Sequence, residues 1–154
     1  AAYRIAEKLE NDEVFGGQTD WRKLEQEIIG NYGSETFLFV ISDFIPFNED
    51  AKHFLETASE AFKGVFCFMV RDRLDSELPE GVGTAYISDP ETGEKTLVNI
   101  DDIREDYNQR AKEKELEVRK TVEAEGENIL KVHTEEDFAD EFAKLLHRRS
   151  GQWR

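Results

Sequence analysis

The residues best placed for chemistry are acidic side chains that follow two apolar runs. Asp43 lies one serine beyond residues 37–41, and Asp72 lies one arginine beyond residues 65–70. Ligands of open α/β sheets bind beyond the carboxyl ends of the strands, and Mg²⁺ prefers oxygen ligands. Asp43 is therefore the sharpest candidate for a metal ligand, either directly or through water. Its position alone favours a plainer alternative, in which Asp43 caps the turn or helix that follows it.

A second group of carboxylates follows the second run: Asp72, Asp75 and Glu77. Arg71 and Arg73 alternate with these residues, which favours local ion pairing on a solvated loop over a metal site. An alternative function nevertheless uses this region. In a Mg²⁺-dependent hydrolase, Asp43, Asp72 and Asp75 would hold the metal for phosphoryl or phosphodiester chemistry. Against that alternative, no positioned base and no phosphate clamp is found beyond the two arginines.

Other catalytic signatures are absent from the sequence. It contains no G-x-S-x-G elbow, no G-x-G-x-x-G fingerprint and no P-loop. The histidines at 53, 133 and 147 lack zinc-site spacing, and a single cysteine, Cys67, excludes a thiolate cage and an internal disulfide. We therefore expect no catalytic residue and no organic cofactor.

The composition describes one acidic domain. The 154 residues include 35 acidic and 20 basic side chains, for a net charge of −15, and such a surface disfavours nucleic-acid binding. Eleven phenylalanines argue against disorder. No apolar run approaches the ~20 residues that cross a bilayer, and no signal-peptide pattern is present. These features favour a cytoplasmic chain, with room for a membrane tether upstream in the parent protein.

Both apolar runs predict strands, because they are short and rich in aromatic and β-branched residues. They do not alternate with polar residues, which predicts strands covered on both faces, as in a parallel sheet. Between them, Asn48 caps a helix that Gly64 ends, and the apolar face of this helix consists of Phe54, Leu55, Ala58, Ala61 and Phe62. This strand–helix–strand order predicts a right-handed crossover.

Further elements flank this unit. Upstream, a short helical piece within residues 3–9 precedes a helix that is capped by Thr19 or Asp20 and ended by Gly33, with the apolar face Trp21, Leu24, Ile28 and Tyr32. Downstream, residues 85–87 and 96–98 predict a β-hairpin with a glycine-containing turn. The fold class is therefore α/β, a three-layer parallel sheet of about three strands with an inserted hairpin.

The carboxyl-terminal third supplies the remaining elements. Residues 101–124 predict a long charged helix ended by Gly126, with the stripe Ile103, Tyr107, Ala111, Val118 and Val122. Residues 129–132 predict a short strand. Thr134 then caps a last helix, which bears Phe138, Phe142, Leu145 and Leu146. We expect residues 148–154 to form a frayed tail.

Several motifs occur in an order that resembles a known family: residues 16–20 (GGQTD), 39–44 (FVISDF), 70–72 (VRD), 77–79 (ELP), 88–94 (SDPETGE) and 134–137 (TEED), ahead of Leu145–Leu146 and Arg148–Arg149. The chain resembles the carboxyl-terminal part of domain of unknown function 58. That family is von Willebrand factor A-like and is commonly associated with MoxR-type AAA+ ATPases. The resemblance implies a doubly wound, Rossmann-like sheet that carries a metal-ion-dependent adhesion site.

Two residues match the family's metal site. Thr19 matches its threonine, with Leu24 at the usual T-x-x-x-x-L spacing, and Asp43 matches its aspartate. The D-x-S-x-S loop of the family does not occur. We therefore expect residues 1–154 to form one partial domain that lacks the first strand or strands. The resemblance implies Mg²⁺ for a full-length domain, and we expect no tight Mg²⁺ binding by this chain alone.

The resemblance implies a non-enzymatic protein-interaction module that works with a MoxR-type AAA+ ATPase in assembly or maturation. In a partial sheet, the strand at residues 37–41 becomes an edge, and an apolar edge invites pairing with another chain. Two hypotheses follow for that edge. Residues 3–15 fold over it, or a second copy of the chain pairs with it to form a homodimer.

Overall fold

The computed structural model describes residues 19–32, 34–88, 93–134 and 138–150. Helices and strands alternate along this part of the chain, except that two strands follow one another before the long helix. In order they are α1 (Trp21–Ile29), β1 (Phe37–Ser42), α2 (Glu49–Ala61), β2 (Gly64–Arg71), α3 (Arg73–Ser76), β3 (Thr84–Ser88), β4 (Lys95–Asn99), α4 (Ile100–Ala124), β5 (Asn128–His133) and α5 (Ala139–Ser150).

Three of the strands form a parallel sheet in the order β1-β2-β5. Strand β2 lies in the centre and is buried along almost its whole length, as expected for an uninterrupted apolar run. Strands β3 and β4 form a separate antiparallel hairpin. The predicted α/β class, the parallel crossover and the inserted hairpin are thus confirmed.

One face of the sheet carries the main core. Val40, Cys67 and Met69 point to this face and pack with residues of α1, α2 and α4, including Phe54 and Val118. Two predicted caps orient the first two helices, because Asp20 accepts a hydrogen bond from the Lys23 amide and Asn48 from the Ala51 amide. These helices therefore begin where the sequence places them.

The opposite face is covered by α5 only in part. Phe142 of α5 meets Phe68 of β2 edge-on, with ring centroids 5.4 Å apart. On the neighbouring strand β1, Phe39 is 47% exposed and Ile41 is 72% exposed. The expectation that β1 is covered on both faces is therefore wrong, because α5 reaches β2 and leaves these two side chains of β1 open to solvent.

The long helix α4 matches its prediction closely. It extends from Ile100 to Ala124, and Val118 and Val122 of the predicted stripe are buried. Gly126 ends the segment with a φ of +73°, a conformation that favours glycine. Asn108 is also buried on this helix and accepts a hydrogen bond from the Leu78 amide at 2.8 Å, which ties α4 to the loop after α3.

Three boundary predictions are corrected. Helix α1 ends at Ile29 with Gly30 as its cap, and Tyr32 is 59% exposed. Gly64 is the first residue of β2, since α2 has already ended at Ala61. Thr134 does not cap the last helix, because α5 starts at Ala139. The helical piece predicted near the amino terminus, Gly33 and residues 151–154 lie outside the described residues.

Candidate functional site

Asp43 lies in a loop whose polar side chains hold its own backbone. The Ser42 hydroxyl accepts a hydrogen bond from the Phe44 amide, and Asp43 Oδ1 accepts one from the Ile45 amide, both at 2.9 Å. Phe44 has a φ of +55°, which is uncommon for a residue with a side chain. The two bonds stabilise this conformation. Asp43 thus takes the turn-capping role that its position favoured, and its role as a metal ligand stays a prediction.

Thr19 lies just before α1, and the first residue of α1 contacts this loop. Thr19 is exposed and precedes Asp20, the cap of α1. Two residues further on, the buried ring of Trp21 stacks on the buried ring of Phe44, with centroids 6.0 Å apart. The start of α1 and the loop after β1 are therefore neighbours, and the two predicted metal-site residues lie on adjacent segments.

The carboxylates after β2 also bind backbone amides. Asp72 Oδ1 accepts a hydrogen bond from the Leu74 amide, and Asp75 Oδ2 accepts one from the Asp72 amide, both at 2.9 Å, which forms a capping box at α3. Within the described residues, no group of three or more His, Cys, Asp or Glu side chains could hold a metal ion. The hydrolase alternative therefore gains no support from these carboxylates.

Arg71 was interpreted as part of a solvated loop, and this interpretation is wrong. Its side chain is 4% exposed, and its Nε lies 3.9 Å from Glu115 Oε1 on α4. Sequence reasoning missed this partner because Glu115 is 44 positions away along the chain. The parallel crossover brings α4 back across the end of β2, and that long-range geometry is not visible in local spacing.

Glu115 is the centre of a polar network between α3, α4 and β5. Lys131 donates to both of its carboxylate oxygens at 2.8 Å, and the Ser76 hydroxyl donates to Oε1 at 2.8 Å. Burial alone would raise the pKa of Glu115, but the hydrogen bonds from Lys131 and Ser76 and the positive charge of Arg71 outweigh it and lower the pKa. The sequence held one clue to this network, since Lys131 interrupts the apolar strand at 129–132.

Cys67 is a core residue and no candidate nucleophile. It is 0% exposed, and burial together with the charge of Glu127 raises its pKa to about 12. A thiol of that pKa is almost entirely protonated near neutral pH and is unreactive. Cys67 therefore contributes to packing within β2.

An apolar concave surface lies on the open face of the sheet. It is a groove of about 480 Å³, and we call it the β1 groove. Its lining residues come from all three parallel strands, from α5 and from the segment between β5 and α5: Phe39, Ile41, Phe68, Val70, Val132, His133, Thr134, Phe138 and Phe142. Phe39 and Ile41 form the part of its wall that belongs to the edge strand.

Comparison with protein families places the chain. The family model described as Protein of unknown function DUF58 matches residues 4–117. The chain belongs to the DUF58 family. The matched residues of this DUF58 chain run from before α1 into α4, so β5 and α5 lie beyond them. No curated protein and no solved structure gave a significant match. None of the described helices is both long and apolar enough to cross a membrane.

Proposed function

We propose that this DUF58 chain is a non-enzymatic protein-interaction module that binds an extended segment of a partner protein along β1 and in the β1 groove. The observation that carries the proposal is the 72% exposure of Ile41 near the carboxyl end of an apolar sheet strand. A large apolar side chain held open beside an apolar groove is typical of a binding surface.

The edge of the sheet supplies the mode of binding. Among the described residues, β1 pairs with β2 alone, in the register that sets Phe39 beside Phe66. An extended partner segment can add to such an edge through its backbone, while its alternate side chains enter adjoining pockets. Phe39 and Ile41 lie on the same face of β1 and offer that pocket wall.

The charge of the chain defines the chemistry of the partner. A net charge of −15 repels acidic chains and steers basic ones toward the surface. The occupant that we propose is therefore an extended segment with alternating apolar residues and flanking Lys or Arg. The resemblance to the family supplies the partner class, a MoxR-type AAA+ ATPase, and the process, assembly or maturation.

We extend the proposal to the predicted metal site. Strand β1 ends next to Asp43, so a partner segment that runs along β1 also reaches the loop beside Thr19. In a longer chain that carries the D-x-S-x-S loop, Thr19 and Asp43 would bind Mg²⁺, and an acidic side chain of the partner would complete its coordination. The adjacency of α1 and the loop after β1 supports this part of the proposal.

The test is direct binding of a purified MoxR-type AAA+ ATPase, measured by biolayer interferometry. Ile41→Ser removes the exposed apolar side chain of the groove, and we expect it to weaken binding at least tenfold, because anchors of an interface carry most of its energy. The matched control is Tyr86→Ser, which removes a side chain that is 73% exposed on the hairpin. Equal loss in both variants would contradict the proposal.

Two other occupants of the edge are separated by the same variants. A concentration-dependent dimer that Ile41→Ser abolishes, seen by light scattering, would replace the partner protein with a second copy. If a chain with Ile41 intact binds the ATPase only after residues 1–18 are deleted, those residues occupy the groove in the undeleted chain.

A further inference from the structure

A second pocket, independent of the proposed function, lies between α3, α4 and the end of β5. Its volume is about 520 Å³, within the usual range for small-ligand sites. Its walls consist of polar and charged side chains: Arg73, Ser76, Glu77, Lys112, Glu115, Lys131, His133 and Thr134. Because β5 ends at His133, the pocket opens at the carboxyl edge of the sheet, where α/β folds bind ligands.

The pocket carries more cations than carboxylates, although the chain as a whole is strongly acidic. Three cationic side chains line it, against the two carboxylates Glu77 and Glu115. By contrast, the cleft between α1 and α2 has Arg22 and Lys52 against four acidic residues, Glu25, Glu49, Asp50 and Glu56. The positive excess is therefore a local feature of this pocket.

Glu115 does not neutralise the cations around it. Lys131 and the almost fully buried Arg71 both face this one carboxylate, and the buried Nε of Arg71 has no hydrogen-bond partner among the described residues. Two cations, Lys131 on the pocket wall and Arg71 beneath it, thus share one negative charge. A buried charge without a full partner is costly, so an anion close to this pair stabilises it.

Two further cations on the wall have no carboxylate of their own. Arg73 and Lys112 form no ion pair within the described part of the chain. The carboxylates nearest to Arg73 along the chain, Asp72 and Asp75, hold backbone amides in the capping box. His133 and Thr134 complete the same wall, and the buried Nδ1 of His133 lacks a hydrogen-bond partner among the described residues.

We propose that this pocket binds a small oxyanion, a carboxylate or a phosphate group, between Arg73 and Lys112. The two side chains donate charge-assisted hydrogen bonds to it, as Arg and Lys do at carboxylate and phosphate sites. Lys131 on the wall and the buried Arg71 beside Glu115 supply additional positive potential. The Thr134 hydroxyl on the same wall donates to Asp72 Oδ2 at 3.5 Å and is therefore not among the donors to the anion.

Removing the negative charge of Glu115 should strengthen anion binding, which is the opposite of the effect of removing a cation. The charge of Glu115 opposes any anion in the pocket, so Glu115→Gln, which keeps the shape and removes the charge, should raise the anion affinity about tenfold. Lys112→Met should lower the affinity by about the same factor, since it removes one charged donor. Lys120→Met is the matched control, because Lys120 is an exposed lysine on the same helix outside the pocket.

The experiment is a titration of the ¹⁵N-labelled chain, followed by two-dimensional NMR at constant ionic strength. Inorganic phosphate and sodium acetate are the two probes, in separate arms. We expect saturable shifts of the Ser76 and Thr134 amides, with the affinity order Glu115→Gln, then wild type and Lys120→Met together, then Lys112→Met. A response to phosphate alone or to acetate alone identifies the group that the pocket takes.

Three outcomes would overturn the proposal. They are the absence of saturable shifts at Ser76 and Thr134 with both probes, equal affinities in Lys112→Met and Lys120→Met, and lower affinity in a folded Glu115→Gln variant. The lysine pair keeps the test decisive if Glu115→Gln does not fold, because both lysines are exposed.

Discussion

The hydrogen bond from the Ile45 amide to Asp43 predicts that this aspartate stabilises the fold of the isolated chain. At 2.9 Å it is a well-formed bond in a partly solvated loop, and such bonds stabilise a protein by about 1 kcal/mol net. Phe44 between the two residues is held at a φ of +55°, so the loop has little freedom to replace the bond. Asp43→Ala should therefore lower the free energy of unfolding by about 1 kcal/mol.

Asp43→Asn separates the acceptor from the charge. The asparagine Oδ1 accepts the same bond, so this variant should unfold within about 0.5 kcal/mol of wild type. In a protein of this length, a loss of 1 kcal/mol lowers the melting temperature by roughly 2–4 °C. Urea unfolding in the presence of a chelator, followed by tryptophan fluorescence, measures the series without a contribution from metal.

Two results would refute this reasoning about Asp43. If Asp43→Asn is as destabilising as Asp43→Ala, the negative charge matters more than the acceptor oxygen. If Asp43→Ala has no effect, the bond does not hold the loop. A separate arm with millimolar Mg²⁺ examines the metal role, because a rise in stability that both variants abolish would show that Asp43 binds the ion in this chain.

Three further predictions concern single residues. The folded-state pKa of Glu115 is lowered, so the stability that its ion pair contributes is fully present above the ordinary pKa of 4.5. That stability is lost as the pH falls through the folded-state pKa. Urea unfolding midpoints measured from pH 6 to pH 3 should therefore fall more steeply for wild type than for Glu115→Gln. Cys67 should react with a thiol reagent at pH 8 only as fast as the chain unfolds, and rapid native labelling would contradict its burial. Asn48→Ala should destabilise the chain by about 1 kcal/mol in urea unfolding, whereas Asn48→Asp should not, because only alanine removes the cap of α2.

Local chemistry predicted most of the elements correctly. The two apolar runs, the cap at Asn48 and the glycine at 126 each act over a few residues, and each occurs in the structure as predicted. The errors lie at the helix ends. Gly33 and Gly64 were given the role of helix stops, but α1 ends at Ile29 with Gly30 as its cap, and α2 ends at Ala61 with Phe62 as its cap.

The site was harder to predict than the fold. Sequence position identified Asp43 and its alternative role as a cap, and the structure shows the bond that makes the cap. It did not identify the pairing of Arg71 and Lys131 with Glu115, because three separate elements supply those side chains. The sequence also predicted, wrongly, that both faces of β1 are covered. An uninterrupted apolar run does not reveal how far α5 extends over the sheet.

Hydrogen exchange is the most direct check on whether the open part of β1 binds a partner protein. The amides of residues 39–42 are measured with and without a purified MoxR-type AAA+ ATPase, with the amides of residues 84–88 of the hairpin as the internal reference. We expect exchange at 39–42 to slow at least tenfold in the complex while exchange in the hairpin is unchanged. Unchanged exchange at 39–42 in a complex that demonstrably forms would contradict this expectation.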